Sequence, residues 1–323
     1  MPHQRWTATD VPDQTGRTAV ITGANTGIGF EVARILARRG AAVVLACRNP
    51  AKAADAADRV RAAAPNADVT TLRLDLASQA SVREAAEQLR TEHSRIDLLI
   101  NNAGMLGSTQ RTVTDDGLEA TFATNHLGVF AFTGLVLDRL VQVPDSRIVT
   151  VSSVVHRSGL LDFDDLQSQR AYKRNAAYAN SKLANLMFTF ELQRRLSASG
   201  AATIALAAHP GMSRTEFTRD LSPANRAFFS PRARVLTGLI LQDRAIGALG
   251  VARAAADPDA RGGEIYGPSR WGQLTGHPVR VTSSRGSHDA ALHARLWQES
   301  EELTGVLYPL AHQRLQSHEL HRP

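Results

Sequence analysis

Tyr178 and Lys182 stand four residues apart in the run Tyr178-Ala179-Asn180-Ser181-Lys182. On a helix that spacing puts both side chains on one face, where they can approach one reacting molecule. A free phenol has a pKa near 10 and is a poor acid–base at neutral pH. Lowering it toward ~7 takes about 4 kcal/mol of preferential stabilisation of the phenolate. A lysine ammonium ~4 Å away, at an effective dielectric of ~20, supplies about that much. Tyr and Lys four apart recur by chance, so the pair needs company. Lys182 is one of three lysines, with Lys52 and Lys173, among 37 Lys plus Arg. A compact point charge therefore stands where this chain otherwise uses arginine.

Ser152 and Ser153 follow the apolar run Arg147–Val151. A serine hydroxyl at a strand end can hydrogen-bond a developing alkoxide; the alternative is a serine that merely starts a turn. Asn125 is odd among apolar neighbours in a helical stretch near Thr121–Leu140. It bonds a backbone carbonyl, holds a water serving the lysine, or is a satisfied core amide. Val155 and His156 come just after Ser153 and are expected in a substrate pocket with Met105, Leu160 and the pair Phe228-Phe229. His156 is assigned to lining that pocket rather than to catalysis.

A second constellation suits a dinucleotide. The first strand runs into Thr22-Gly23-Ala24-Asn25-Thr26-Gly27-Ile28-Gly29. Glycines there let backbone N–H groups approach a pyrophosphate, and the following helix N-terminus favours its charge. The second strand ends at Ala46-Cys47-Arg48-Asn49. An acid at that place would grip the ribose 2′-hydroxyl of NAD; Arg48 suits the 2′-phosphate of NADP instead. NADP(H) is accordingly preferred and NAD(H) remains usable, while a plain surface arginine is the alternative. Asp75-Leu76 after the third strand and Asn101-Asn102-Ala103-Gly104 after the fourth fall where the cofactor crevice should run. Asp75 is equally suited to capping a helix that begins near Ser78.

The elements that must position these residues are legible as alternation. Short Val/Ile/Leu-rich runs occur at Thr18–Thr22, Ala42–Ala46, Val69–Leu74, Ile96–Ile100, Arg147–Val151, Thr203–Ala207 and Glu264–Tyr266. Helical periodicity lies between them, as in Gly29–Arg39, Ser81–Glu92, Ala176–Ser197 and Asp243–Ala256. Continuously apolar strands joined by helices predict an α/β, doubly wound parallel sheet covered on both faces. One Rossmann-type domain over 1–323 is expected, with a core at 15–267 and an elaborated C-terminal substrate edge at 268–323. The tail carries Pro268, Gly272, Gly276 and Pro278 before a helix at Ser287–Leu303.

Composition removes several classes. A net charge of +6 hints at nucleic acid, but the arginines are interleaved with acids, as on solvated helix faces, so no nucleic-acid partner is expected. The polar N-terminus has no signal-peptide core, and no stretch approaches the ~20 apolar residues of a membrane span. A soluble, cytoplasmic protein without a membrane anchor is expected. Cys47, the single cysteine, lies in an apolar run and is read as core filler. The histidines lack metal-ligand spacing, so no metal is expected.

Together, Thr22–Gly29, Asn101–Gly104, Asn125, Ser153 and Tyr178–Lys182 resemble the short-chain dehydrogenases/reductases, in order and spacing, through roughly residues 15–267. The resemblance implies a catalytic tetrad of Asn125, Ser153, Tyr178 and Lys182. It implies cofactor contacts at Gly23, Asn25, Thr26, Gly27, Ile28, Gly29, Asp75, Leu76, Asn102, Ala103 and Gly104, with Pro210, Gly211 and Thr215 near the nicotinamide amide. The long gap from Ser153 to Tyr178, with His126-Leu127-Gly128 and Ser181–Asn185, is similar to the retinol-dehydrogenase-like branch. The implied activity interconverts a small apolar ketone or aldehyde and its alcohol: Tyr178 exchanges the proton, Ser153 polarises the oxygen, Lys182 lowers the phenol pKa, and Asn125 sustains a water relay. Homodimers or homotetramers are usual in the family. A sugar-nucleotide epimerase or dehydratase, and a catalytically silent NADP-binding sensor, are the competing readings.

Overall fold

The computed structural model describes residues 5–212 and 242–310. Its centre is an eight-stranded sheet in the order β3-β2-β1-β4-β5-β6-β7-β8. These strands are β1 Thr18–Thr22, β2 Ala42–Cys47, β3 Val69–Arg73, β4 Leu98–Asn101, β5 Arg147–Val151, β6 Ile204–Ala208, β7 Ile265–Arg270 and β8 Thr275–Val281. All neighbours are parallel except β7 and β8. Side chains alternate across a strand, so an unbroken apolar run feeds two cores at once. Ile21 and Leu45 enter one core with Val32, Leu36 and Val60, whereas Val20 and Val44 enter the other with Leu89, Phe130 and Trp297.

Helices α1 Gly27–Arg38, α2 Pro50–Ala63 and α3 Gln79–Glu92 follow the first three strands. A continuous helical stretch Ala120–Arg139 follows β4. It comprises α4 Ala120–Phe122, a π-turn Ala123–Leu127, α5 Gly128–Val136 and a closing 3-10 turn. Next come α6 Arg174–Ser199, α7 Arg244–Ala256 and α8 Ala290–Thr304. Local chemistry sets their starts: Asn49, Ser78, Asp243 and Asp289 each accept a backbone N–H from the first turn of the helix they precede. The strand order reverses between β1 and β4, which opens a crevice at their carboxyl ends.

The tail adds a strand the sequence did not announce: β8 pairs antiparallel with β7, with Pro268 opposite Pro278 and a register irregularity between Pro268 and Arg270. Pro278 is tolerated because β8 is the edge strand, one side of which owes no ladder bonds. Ala120–Arg139 is also long and apolar enough, by length and composition, to cross a membrane, contrary to the expectation that no such stretch exists. In the fold, 83% of that window is buried. A helix apolar all round is what an interior helix requires as well.

Candidate active site

A cavity of about 620 Å³ occupies the crevice at the carboxyl ends of β1, β4 and β5. Its lining brings together Gly23, Asn25, Thr26, Gly27, Ile28, Arg48, Asp75, Leu76, Asn102, Ala103, Gly104, Met105, Ser153, Val155, Tyr178, Lys182, Pro210 and Gly211. Thr215, Phe228 and Phe229 lie outside the described residues.

The glycine turn has defined local causes. Gly23 and Gly27 adopt φ +66° and +64°, where a side chain would be strained. The Asn102 amide donates to the Thr22 carbonyl at 2.9 Å and to Gly23 at 3.4 Å, so it staples the turn to the end of β4. Gly29 is buried behind the lining, and a Cβ there would sit 2.4 Å from the Asn102 amide nitrogen. Thr22 Oγ1 accepts the N–H groups of Asn102 and Ala103, both at 3.0 Å. At the start of α1, Thr26 makes no side-chain cap and the first turn holds no acid. The cavity side of Gly27 is open, with nothing within 4 Å of where a Cβ would stand. An unopposed helix N-terminus and open space suit a pyrophosphate.

Asp75 is not a helix cap; Ser78 takes that part, and Asp75 accepts the Ala77 N–H while facing the crevice. Arg48 is exposed on the lining together with Asn49 and Lys52. Lys52 escaped the sequence reading although it follows Arg48 by four residues. Arg17 stands before β1, where it donates to the Asp145 carbonyl at 2.8 Å and lies 3.9 Å from Asp97. The start of β1 is the edge of the sheet remote from the crevice. Cys47 is buried at the end of β2, and burial raises its thiol pKa.

The reacting groups converge from β5 and α6. Ser152 faces inward and donates to the Lys182 carbonyl at 2.8 Å, fixing α6 against the strand end. Ser153 reaches the cavity and hydrogen-bonds the Tyr178 phenol. Lys182 is 3% exposed, donates to the Val151 carbonyl at 3.0 Å, and places Nζ 5.8 Å from the Tyr178 ring centre. Tyr178 keeps part of its surface open, yet burial pushes the phenol up to about 12, only partly opposed by the bond from Ser153. Burial likewise lowers Lys182 to about 8. In the free protein burial is the dominant influence on the phenol.

Asn125 sits beneath this floor inside the π-turn, fully buried. Its Oδ1 accepts the Met105 N–H at 2.8 Å, and its Nδ2 donates to the Met105 carbonyl at 2.8 Å and to Ser181 Oγ at 2.9 Å. Both amide hydrogens and an Oδ1 lone pair are committed to protein. Ser181 passes the connection on to the Tyr178 carbonyl at 2.8 Å. These bonds tie the Gly104–Met105 loop to α6.

Two placements correct the substrate assignments. His156 does not line the cavity; it is 2% exposed, with both ring nitrogens bonded elsewhere. Leu160 is 82% exposed and absent from the lining. The residues of the 3-10 turn Val154–Ser158 that do face the cavity are Val154 and Val155, and Thr124 and Met212 join them.

Comparison with known proteins agrees with this architecture. The short chain dehydrogenase family pattern matches residues 17–226. Human retinol dehydrogenase 13 is 40% identical over 300 residues, covering 91% of this chain and 86% of that protein. A crystal structure of an uncharacterized protein from Mycobacterium paratuberculosis superposes with a TM-score of 0.78 at 41% identity, covering 95% of this chain and all of the other. The RhlG/NADP active-site complex of Pseudomonas aeruginosa superposes at 0.62 with 25% identity, over 78% of this chain and 94% of that one. A glycine turn, crevice and β5–α6 site of this form, with this extent of similarity, make the chain a member of the short-chain dehydrogenase/reductase family, in its retinol-dehydrogenase-like branch, and an NAD(P)-binding alcohol/carbonyl oxidoreductase.

Proposed function

We propose that the chain interconverts an apolar ketone or aldehyde and the corresponding alcohol, prefers NADP(H), and uses Tyr178 as its general acid–base. The observation that carries this reading is the convergence of Ser153, Tyr178 and Lys182 in one cavity with the glycine turn. The residues present fit a nicotinamide dinucleotide: the α1 N-terminus for the pyrophosphate, Asp75 and Leu76 for the adenine end, Lys182 for the nicotinamide ribose, and Pro210–Gly211 for the carboxamide end. When bound, that cofactor supplies or accepts the hydride. Arg48 and Lys52, with no acid at the end of β2, favour a 2′-phosphate, and a related structure was obtained with NADP.

The chain's own groups handle the proton. With a pKa near 12 the phenol is protonated at neutral pH, which is the form that donates to a carbonyl oxygen during reduction. Ser153 bonds the phenol and can share the same substrate oxygen. The reverse direction needs the phenolate, about 7 kcal/mol uphill at pH 7 from that value. The Lys182 ammonium beside the ring and the positive charge that an oxidised nicotinamide would bring both favour the phenolate. Met105, Val154, Val155 and Met212 give the cavity an apolar wall suited to a substrate larger than acetone.

The test is NADPH and NADH consumption over a panel of hydrophobic ketones and aldehydes, for wild type and Tyr178→Phe. Turnover should vanish in the variant while NADPH affinity stays within twofold. Variant turnover within tenfold of wild type would remove Tyr178 from its role.

A further inference from the structure

His156 is held at both nitrogens by groups whose polarity is fixed. Its Nδ1 lies 2.7 Å from the Ser153 carbonyl oxygen. Its Nε2 meets the backbone N–H of Ser284 at 3.2 Å, from a segment 128 residues further along the chain. A carbonyl can only accept and a backbone N–H can only donate. The proton therefore sits on Nδ1, the lone pair on Nε2, and the ring is neutral.

We propose that His156 is a positioning residue for the reaction: a neutral imidazole latch that ties the Ser153 turn to the Ser283–His288 segment, so that the Ser153 hydroxyl stays aimed at Tyr178. The proposal rests on the reading of Ser153 and Tyr178 given above. Ser153 needs external support, because its side chain accepts only the Val155 N–H locally, at 3.5 Å. The other end of the latch is firm. Ser287 Oγ donates to the Ser284 carbonyl at 2.6 Å and lies 2.6 Å from Ser283 Oγ, and His293 at the start of α8 bonds the Ser287 carbonyl at 2.7 Å. Helix α8 packs on α6, which carries Tyr178. The connections form a closed circuit: Ser153, His156, Ser284, α8, α6, Tyr178.

The charged and titratable groups around the ring do not favour an imidazolium. Burial dominates in lowering the His156 pKa, and Arg157 lowers it further against the bond to Ser153. His209 is close enough to interact electrostatically, and the Ser284 segment brings Arg285 and His288. Protonation would set Nε2–H against the Ser284 N–H and open the latch.

Two variants each retain half of it. In His156→Asn the amide stands in for Nδ1 and can still donate to Ser153, but is too short for Ser284. In His156→Gln the side-chain oxygen can reach Ser284. We expect kcat to fall at least tenfold in both, with NADPH affinity within twofold and melting temperatures within a few degrees of wild type. Wild-type kcat should decline in acid, below the ordinary histidine range, and the residual activity of the variants should lack that decline. Variants within twofold of wild-type kcat, or retaining the same acid limb, overturn the latch. Nitrogen-15 NMR of the wild-type ring reads the tautomer without turnover: protonated Nδ1 and bare Nε2 at pH 6.5 supports the latch, and the opposite tautomer or an imidazolium refutes it. A wild type that turns over no carbonyl with either cofactor refutes the proposed function instead, and leaves the NMR result to decide the latch.

Discussion

His126, next to Asn125 in the π-turn, allows a quantitative prediction about acid. Its ring is fully buried, with ring centres of Phe122, Phe188 and Phe130 at 5.0, 6.2 and 6.4 Å. Nε2 lies 2.9 Å from Ser300 Oγ, which already donates to the Leu296 carbonyl at 2.7 Å. Ser300 must therefore accept from an Nε2–H, and burial with no partner on Nδ1 keeps the ring neutral. Burial lowers its pKa to about 4, and His209 falls to about 4 for the same reason. An unfolded histidine titrates near 6.5. A base whose folded pKa is depressed gives the folded state full stability above 6.5 and loses it as pH falls toward 4. Near pH 5 the unfolded chain binds about 0.9 more protons per such histidine, a slope of about 1.2 kcal/mol per pH unit each. From neutral pH to pH 5 each histidine removes about 2 kcal/mol, against a total of roughly 5–15 kcal/mol for a folded domain. Urea unfolding between pH 7.5 and 4.5, for wild type and His126→Gln, measures this. The variant should be less stable at pH 7.5, with a slope near pH 5 shallower by about 1.2 kcal/mol per unit. Carboxylates titrate alike in both proteins and drop out of the difference. Parallel stability curves would refute the claim that His126 is held neutral.

Other perturbations test the crevice. Arg48→Ala should weaken NADPH binding by about tenfold, the low end for a charge-assisted contact made by an exposed side chain, with NADH unchanged. Adding Lys52→Ala should extend the loss toward ~100-fold; equal losses for both cofactors in fluorescence titrations would rule out a phosphate contact. Gly29→Ala sets a methyl 2.4 Å from the Asn102 amide nitrogen and 2.8 Å from the Gly23 carbonyl. It should cost about 1–3 kcal/mol of stability by overpacking and weaken both cofactors together; an unchanged dissociation constant would show that the turn tolerates displacement.

The parallel sheet was legible because buried strands must be apolar on both faces, and runs such as Arg147–Val151 match their strand to the residue. β8 was hidden by Gly276 and Pro278, since turn residues lose their meaning on an edge strand. The π-turn at Ala123–Leu127 leaves no mark on composition; the polar pair Asn125-His126 inside an apolar stretch was its only trace. Lys52 could have been found as the residue one turn beyond Arg48, across the Asn49 cap. His156 was misplaced for a subtler reason. Adjacency to Ser153 does not fix a direction, and in a 3-10 turn residue i+3 returns over residue i. The ring thus folds back onto the Ser153 carbonyl rather than entering the cavity.

The scarcity of lysine has a practical side. Lys52 and Lys173 are exposed and Lys182 is buried, so amine-reactive reagents find only two accessible lysine side chains on the folded protein. One of these, Lys52, lies on the wall of the nucleotide crevice. Coupling to an amine-reactive bead or sensor chip would thus attach a large share of molecules by the mouth of their own site, masking it. Attachment through an engineered surface cysteine would avoid this, because Cys47 is buried and does not compete for the reagent. The same imbalance makes Lys52 a built-in reporter: its acylation rate, read by mass spectrometry against Lys173 as internal standard, follows occupancy of the crevice without any label.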